Sequence, residues 1–462
     1  MVFSSPVFIF LFLPFVYLIN GVLPKKLSNL FLLVFSLLFY AWGEPLYVFL
    51  MLFSGAANYL LALAMDRYPA HKKHVLLFTV LFNIGLLAVF KYADFFILSI
   101  NGIFNISFNL LHLPLPIGIS FYTFQTLSYM FDVYRNDTPV QRKFLNLLLY
   151  ITFFPQLIAG PIVKYHDVAL EIEHRKVSLH GTATGLRRFV VGLSKKVLLA
   201  NAMALVADRL YALPLAEVST FVAWIAAIAY LFQIYFDFSG YSDMAIGMGE
   251  MFGFHFKENF NYPYIASSVQ DFWRRWHMSL SSWFRLYVYI PLGGNRKGKQ
   301  RAVFNRILVF FLTGLWHGAS WTFVVWGLYH GFFLLLEETA FHVSKWPKVL
   351  RHFYTLLIVT FGFVIFRSES FPQALVLLKS MIVLTPNTLR ASGELMVLMT
   401  PTTIGLFLIS AFASLPIGPW LQRKFPGSTL EIPSYTLALL LWFACILSLA
   451  ATTYNPFIYF RF

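Results

Sequence analysis

The feature that most constrains this chain is the recurrence of long apolar segments with few charges inside them. They fall at about 3–22, 28–42, 46–65, 74–100, 112–134, 144–163, 189–207, 217–238, 240–255, 302–316, 320–341, 353–368, 395–417 and 435–453. A membrane-spanning helix needs about 20 largely apolar residues. A chain with this pattern reads as an all-α polytopic membrane protein. Composition agrees: 59% of its 462 residues are hydrophobic and only 12% charged, against about 25% charged in a soluble domain. The 53 phenylalanines suit lipid-facing surfaces and interfacial belts.

The net charge of +15 could point to nucleic acid in a soluble protein. Here the basic residues cluster in short loops between apolar segments, the positive-inside pattern, and nucleic-acid binding is not expected. Lys25–Lys26 and the loops at 66–74, 134–143, 171–188, 293–306, 345–351 and 421–427 read as cytoplasmic. The loops at 43–46 and 386–394 and the 101–115 segment carry few basic residues and read as outside. Both termini are then extracytoplasmic. The first segment lacks a basic leader and a small-residue cleavage site, so it reads as a span rather than a cleaved signal peptide. The one cysteine, Cys445, excludes an internal disulfide framework and a thiolate metal cluster.

No long linker, low-complexity tract or repeat divides the chain, which reads as one domain over 1–462 with an aromatic tail at 453–462. Two stretches depart from plain spans. "FFPQLIAGPIVKYHD" within 144–163 and beyond holds Pro155, Gly160 and Pro161 between flanking basic residues, which predicts a broken, re-entrant helix. Such backbone must be buried in protein or line a water-filled cavity. The 257–300 region mixes Trp, Arg, Tyr and Pro, and predicts short helices at the cytoplasmic interface that dip toward the centre.

Chemistry-bearing residues stand out against this background. "LTGLWHGASWTFVVWGLYHG" (312–331) carries His317 and His330. On one helix, thirteen residues would separate them by about 20 Å and roughly 140° in direction, so they share neither a proton nor a metal. Gly314, Gly318 and Ser320 place His317 near a helix end. A lone histidine in a soluble protein is usually a hydrogen-bonded packing residue, whereas an ionisable group within a membrane is a functional candidate by default. His330 lies about two turns from Glu337. "YLFQIYFDFSGYSDMAIGMGE" (230–250) sets Asp237 and Asp243 in apolar surroundings, either as a polar packing seam or as the wall of a polar tunnel. Its glycines open no strand–turn–helix unit, so no phosphate loop is read there. In "DFWRRWHMSLSSW", Arg274 and Arg275 could hold phosphates while Trp273 and Trp276 offer stacking faces; an interfacial anchor is the plainer alternative. His277 adds a third imidazole. The tail "NPFIYFRF" is too aromatic to be left free, and docking would present the Tyr459 phenol. There is no P-loop, no zinc-protease motif, no metal-ligand spacing and no nucleophile elbow.

"PIGISFYTFQTLSY", "FFPQLIAGPI", "YFDFSGYSDMAIG", "NFNYPY", "DFWRRWHMSLS" and "GLWHGASWTFVVWGLYHG" together resemble the membrane-bound O-acyltransferases, in particular the bacterial alginate and peptidoglycan O-acetylation subgroup. The resemblance covers nearly the whole chain. It implies about 11–13 transmembrane helices, with re-entrant and interfacial helices, around a central funnel or tunnel. The family's invariant histidine falls on His317 and its second signature position on His277, both expected to be catalytic. Asp237, Asp243, Trp273, Arg274, Arg275, Trp276 and Trp316 are expected to line the tunnel or bind the donor. The implied donor is cytoplasmic acetyl-CoA, with no permanently bound cofactor and no metal. The implied acceptor is an extracytoplasmic polysaccharide, reached at the inner membrane through a periplasmic acetyltransferase partner. D-alanylation relatives use a small partner with a tyrosine-bearing aromatic C-terminus. The similar tail here makes Tyr459 a candidate acyl relay.

Two other readings remain open. Buried aspartates and broken helices would also suit a small-solute transporter or channel, although no inverted repeat is visible. A lipid or protein acyltransferase with a long-chain donor would carry the same motifs.

Overall fold

A computed structural model describes residues 1–158, 160–425, 428–451, 454–456 and 458. Among these the regular structure is helical. Six helices are long and apolar enough to cross a bilayer: Tyr47–Arg67, Pro69–Phe104, Leu179–Tyr211 (α1), Thr220–Met251 (α2), Lys348–Arg367 and Glu431–Ala451. The pair Leu389–Leu398 and Pro401–Ala413, bent by 71°, would make a seventh. Other apolar runs form shorter helices, such as Phe8–Val22 and Phe371–Ile382. This is why fewer helices pass on length than the 11–13 spans the family resemblance implies.

The chain reads as one domain in sequence, but its contacts gather into two compact units: Met1–Phe189 with Ser242–Lys257, and Val190–Tyr241 with Glu258–Phe462. In the first, the predicted break in 144–163 is present. Phe144–Thr152 ends at Phe153, and a single turn, Phe154–Leu157, follows. Two carbonyls flanking the break find side-chain partners inside the protein. Gln156 Nε2 donates to the Tyr150 carbonyl at 2.5 Å, and the Tyr150 hydroxyl donates to the Val163 carbonyl at 2.8 Å. Gly118, at φ +78°, starts the helix Ile119–Arg135 against this turn. A Cβ there would lie 3.0 Å from the Leu157 carbonyl oxygen.

The same unit holds a carboxylate–imidazole chain. His166 Nδ1 lies 2.7 Å from Asp132 and Nε2 lies 3.1 Å from Asp167, which also binds Lys257. Hydrogen bonds from His166 to Asp132 and Asp167 raise its pKa from 6.5 to about 9. His166 is therefore a cation at neutral pH, a structural strut rather than a base.

Segments 217–238 and 240–255 read as separate in sequence but form one 32-residue helix, α2. Its two carboxylates do not interrupt it, since each is paired within its own unit. In the first unit Asp243 pairs with Arg188 at 2.9 Å, and a Cβ on Gly247 would lie 2.5 Å from the Gly185 carbonyl oxygen. In the second, Asp237 pairs with Lys196 at 2.7 Å, and a Cβ on Gly240 would lie 2.7 Å from the Gly192 carbonyl oxygen. Close backbone approach through small residues is a common way for membrane helices to associate.

The His166 chain makes stability depend on pH with a fixed sign. Its folded pKa lies above the unfolded value, so its contribution is complete below pH 6.5 and is lost as pH rises toward 9. The melting temperature of the detergent-purified protein should fall across that window, and His166→Gln should flatten the fall. Parallel profiles for the two proteins would refute the assignment.

Candidate active site

The second unit builds its site from α2, the short helices Val269–Arg275 (α3) and Met278–Phe284 (α4), the pair Lys299–His317 (α5) and Trp321–Leu336 (α6), and Lys348–Arg367 (α7). Gly314 and Gly327 let α5 and α6 touch backbone to backbone. A Cβ on Gly314 would sit 2.3 Å from the Phe323 carbonyl oxygen, and one on Gly327 would sit 2.3 Å from that of Phe310. His317 is the last residue of α5, followed by extended Gly318 and by Ser320, whose side chain caps α6. The helix end predicted from Gly314, Gly318 and Ser320 is there. The macrodipole at such an end favours an imidazolium.

His277 is placed by a short backbone pairing. Asn261 N–H donates to the Arg275 carbonyl at 2.9 Å and Met278 N–H to the Asn259 carbonyl at 2.9 Å. This sets Asn259 beside His277, which lies in left-handed backbone at φ +44°, a conformation uncommon for residues other than glycine and often found at functional sites. The Asn259 side-chain oxygen accepts from Ser279 N–H at 3.2 Å and from the Ser279 hydroxyl at 2.9 Å, which fixes it as an acceptor. The 3.2 Å contact from His277 Nδ1 to that oxygen therefore assigns the proton to Nδ1. Nε2 is then an acceptor, buried and without a partner among the described residues. Asn259 lies in "NFNYPY", and no role for it follows from the sequence alone. What the sequence offers is an amide in an aromatic motif upstream of the histidine.

His277 and His317 line one narrow cavity with Ile234, Phe238, Trp276, Trp326, Phe363 and Phe366. Trp316 lies beside both imidazoles, with ring centres 5.9 Å from His277 and 5.0 Å from His317. His277 is 2% exposed, while His317 is half-buried. His330 is elsewhere. It is fully buried, packed edge-on against Trp273 and Trp326 at 5.1 and 5.3 Å, and it does not line the cavity.

The other candidates separate by environment. Trp276 is a cavity wall, with its faces covered by Phe272 and Tyr264. Trp273 is buried against Phe310 and Trp326. Arg275 is tied to Asp271 at 3.0 Å, and Arg274 is exposed. Asp243 belongs to the first unit and Asp237 to the second, each in the ion pair described above. Tyr459 lies outside the described residues. Glu337 accepts from Val269 N–H at 2.7 Å and Gln270 N–H at 3.3 Å. It thereby satisfies two of the open amides that start α3.

The membrane-bound O-acyltransferase family profile matches residues 34–377, and the chain belongs to that family. Among similar proteins, the probable alginate O-acetylase of Pseudomonas putida is 41% identical over the full length of both chains. The peptidoglycan O-acetyltransferase of Helicobacter pylori is 38% identical, covering 83% of this chain and 80% of its own. The teichoic acid D-alanyltransferase of Bacillus subtilis is 28% identical over 55% of this chain and 69% of its own. The protein is a multi-pass membrane acyltransferase.

The packing of His330 predicts a split between stability and chemistry. His330→Ala should lower stability by on the order of 2–4 kcal/mol through the cavity it leaves, whereas His330→Phe should restore much of this. Both should keep acyl-transfer turnover per folded molecule. Loss of turnover in His330→Phe as complete as in His317→Ala, at normal protein levels, would overturn the structural role.

Proposed function

We propose that the protein takes an acetyl group from cytoplasmic acetyl-CoA and passes it across the bacterial inner membrane for O-acetylation of an extracytoplasmic polysaccharide such as alginate or peptidoglycan. The observation that carries this reading is the pair His277 and His317 on one aromatic-walled cavity, in a chain similar to alginate and peptidoglycan O-acetylating proteins.

In this mechanism His317 is the general base. It takes the proton from an attacking hydroxyl while the hydroxyl oxygen bonds to the acetyl carbon. The carbon–sulfur bond breaks, and the departing CoA sulfur receives the proton that His317 holds. Histidine suits this because its proton affinity lies near working pH, and the end of α5 stabilises the transient imidazolium. His277, held with its proton on Nδ1, keeps Nε2 as an acceptor for a hydroxyl or water donor. Exposed Arg274, with the basic stretch at 293–306, would meet the CoA phosphates. Tyr459 would relay the acetyl group outward, and a separate periplasmic acetyltransferase would place it on the polymer. Both termini would then face outside.

Purified protein supplied with radiolabelled acetyl-CoA tests the reading. His317→Ala should slow thioester turnover by roughly 10²–10⁴-fold, the usual loss on removing a general base. Turnover that does not depend on His317 would sink the mechanism. The O-acetyl content of each polymer in a deletion strain would identify the acceptor.

A further inference from the structure

The second unit buries an ion pair that the acyl-transfer chemistry leaves unused. Lys196 lies on a π-helical turn of α1, Lys195–Ala200, and Asp237 lies midway along α2. Their charged atoms are 2.7 Å apart, and each side chain is 2% exposed. A buried pair offsets its desolvation only when further hydrogen bonds satisfy the remaining valences. Here those bonds run to the C-terminal segment. Lys196 donates to the Pro456 carbonyl. Ile458 N–H donates to Asp237 Oδ2 at 2.8 Å.

Two side-chain contacts extend the seat. Asn201 Nδ2 donates to Asn455 Oδ1 at 3.2 Å. The Tyr454 hydroxyl donates to Asp208 Oδ2 at 2.7 Å, and the other oxygen of that carboxylate accepts from Arg367 at 3.1 Å. The contacts that the ion pair makes at Pro456 and Ile458 are to main-chain atoms, so they do not depend on the side chains at those two positions. The grip is next to the cavity. Ile234 and Phe238 lie three residues before and one after Asp237 on α2, and both line it. Ile458 is 2% exposed, within the apolar core that also holds Trp276, Trp326, Phe363 and Phe366.

We infer that the Lys196–Asp237 pair is a two-point backbone clamp that seats the C-terminal segment in the core enclosing the His317 cavity. The pair positions that segment for acyl transfer, and it neither relays protons nor binds the donor. The catalytic half of this inference rests on the function proposed above.

The test replaces both charges at once, since removing one would strand the other. Lys196→Met/Asp237→Leu in the full-length protein should reach the membrane at normal levels. Carboxypeptidase should trim its C-terminus about tenfold or more faster, and His317-dependent turnover should fall by a similar factor, as expected for losing two charge-assisted hydrogen bonds. A short bis-maleimide between Asn201→Cys and Asn455→Cys, in a Cys445→Ala background, should restore protection and most of the turnover. Trimming at the unmodified rate would overturn the clamp. Faster trimming with full turnover, or a cross-link that restores protection but not turnover, would overturn its role in the reaction. If the unmodified protein turned over no acetyl-CoA, the proposed function would fail and the role in the reaction with it. The trimming rates would still decide the clamp.

Discussion

The contact between the backbones of α5 and α6 is the constraint on which the site depends. Side chains larger than hydrogen at Gly314 and Gly327 would have to displace carbonyl oxygens of Phe323 and Phe310. With both absent, the helices close and the chain must turn immediately after His317. The turn fixes the imidazole at a helix end, where the backbone carries partial negative charge. It also brings Trp326 of α6 to 5.0 Å from His317, ring centre to ring centre. The catalytic candidate, its aromatic wall and its electrostatic setting thus come from one close packing. A methyl group at either glycine would disturb all three together.

The remaining polar groups follow from the cost of burying charge. Asp237, Asp243, Asp132 and Glu337 each have a cation or backbone amides to bind. Their burial is repaid structurally, in helix packing, a seated C-terminal segment and the start of α3. Imidazoles are different because they can be buried neutral. His330 is buried inside aromatic rings. His277 is buried too, but with its tautomer chosen by Asn259 and one nitrogen left for a donor. His317 alone of the three is half-open. A graded set of environments therefore separates three chemically identical side chains into a filler, an oriented acceptor and a half-open imidazole.

Much of this was legible in the sequence where a local rule decides. Gly, Gly and Ser around His317 announce a helix end. Pro155 and Gly160 announce the broken segment at 144–163. The scarcity of charge announces the membrane. Legibility failed where tertiary partners decide. A run of polar residues made α2 look like two segments, because nothing local says that Lys196, Arg188 and two glycines of α1 will meet it. Asn259 and His277 are eighteen residues apart, and only the pairing of 259–261 with 275–278 joins them. Glu337, two turns from His330 in sequence, turns out to serve the start of α3.

The same division of labour extends to the C-terminal segment, which the ion pair holds by its backbone beside the side-chain contacts of Asn455 and Tyr454. Side-chain recognition in an apolar, aromatic-rich interior discriminates poorly, since many rings fit many gaps. A buried cation and anion meeting a carbonyl and an amide hold the main chain in place, because withdrawing the segment would leave both charges partly unsatisfied. The segment next to the cavity is thereby set by the strongest directional interaction that the unit offers there, while Ile458 completes the surrounding core. On the proposed function the segment lies beside the reacting centre, where small displacements carry large losses in rate.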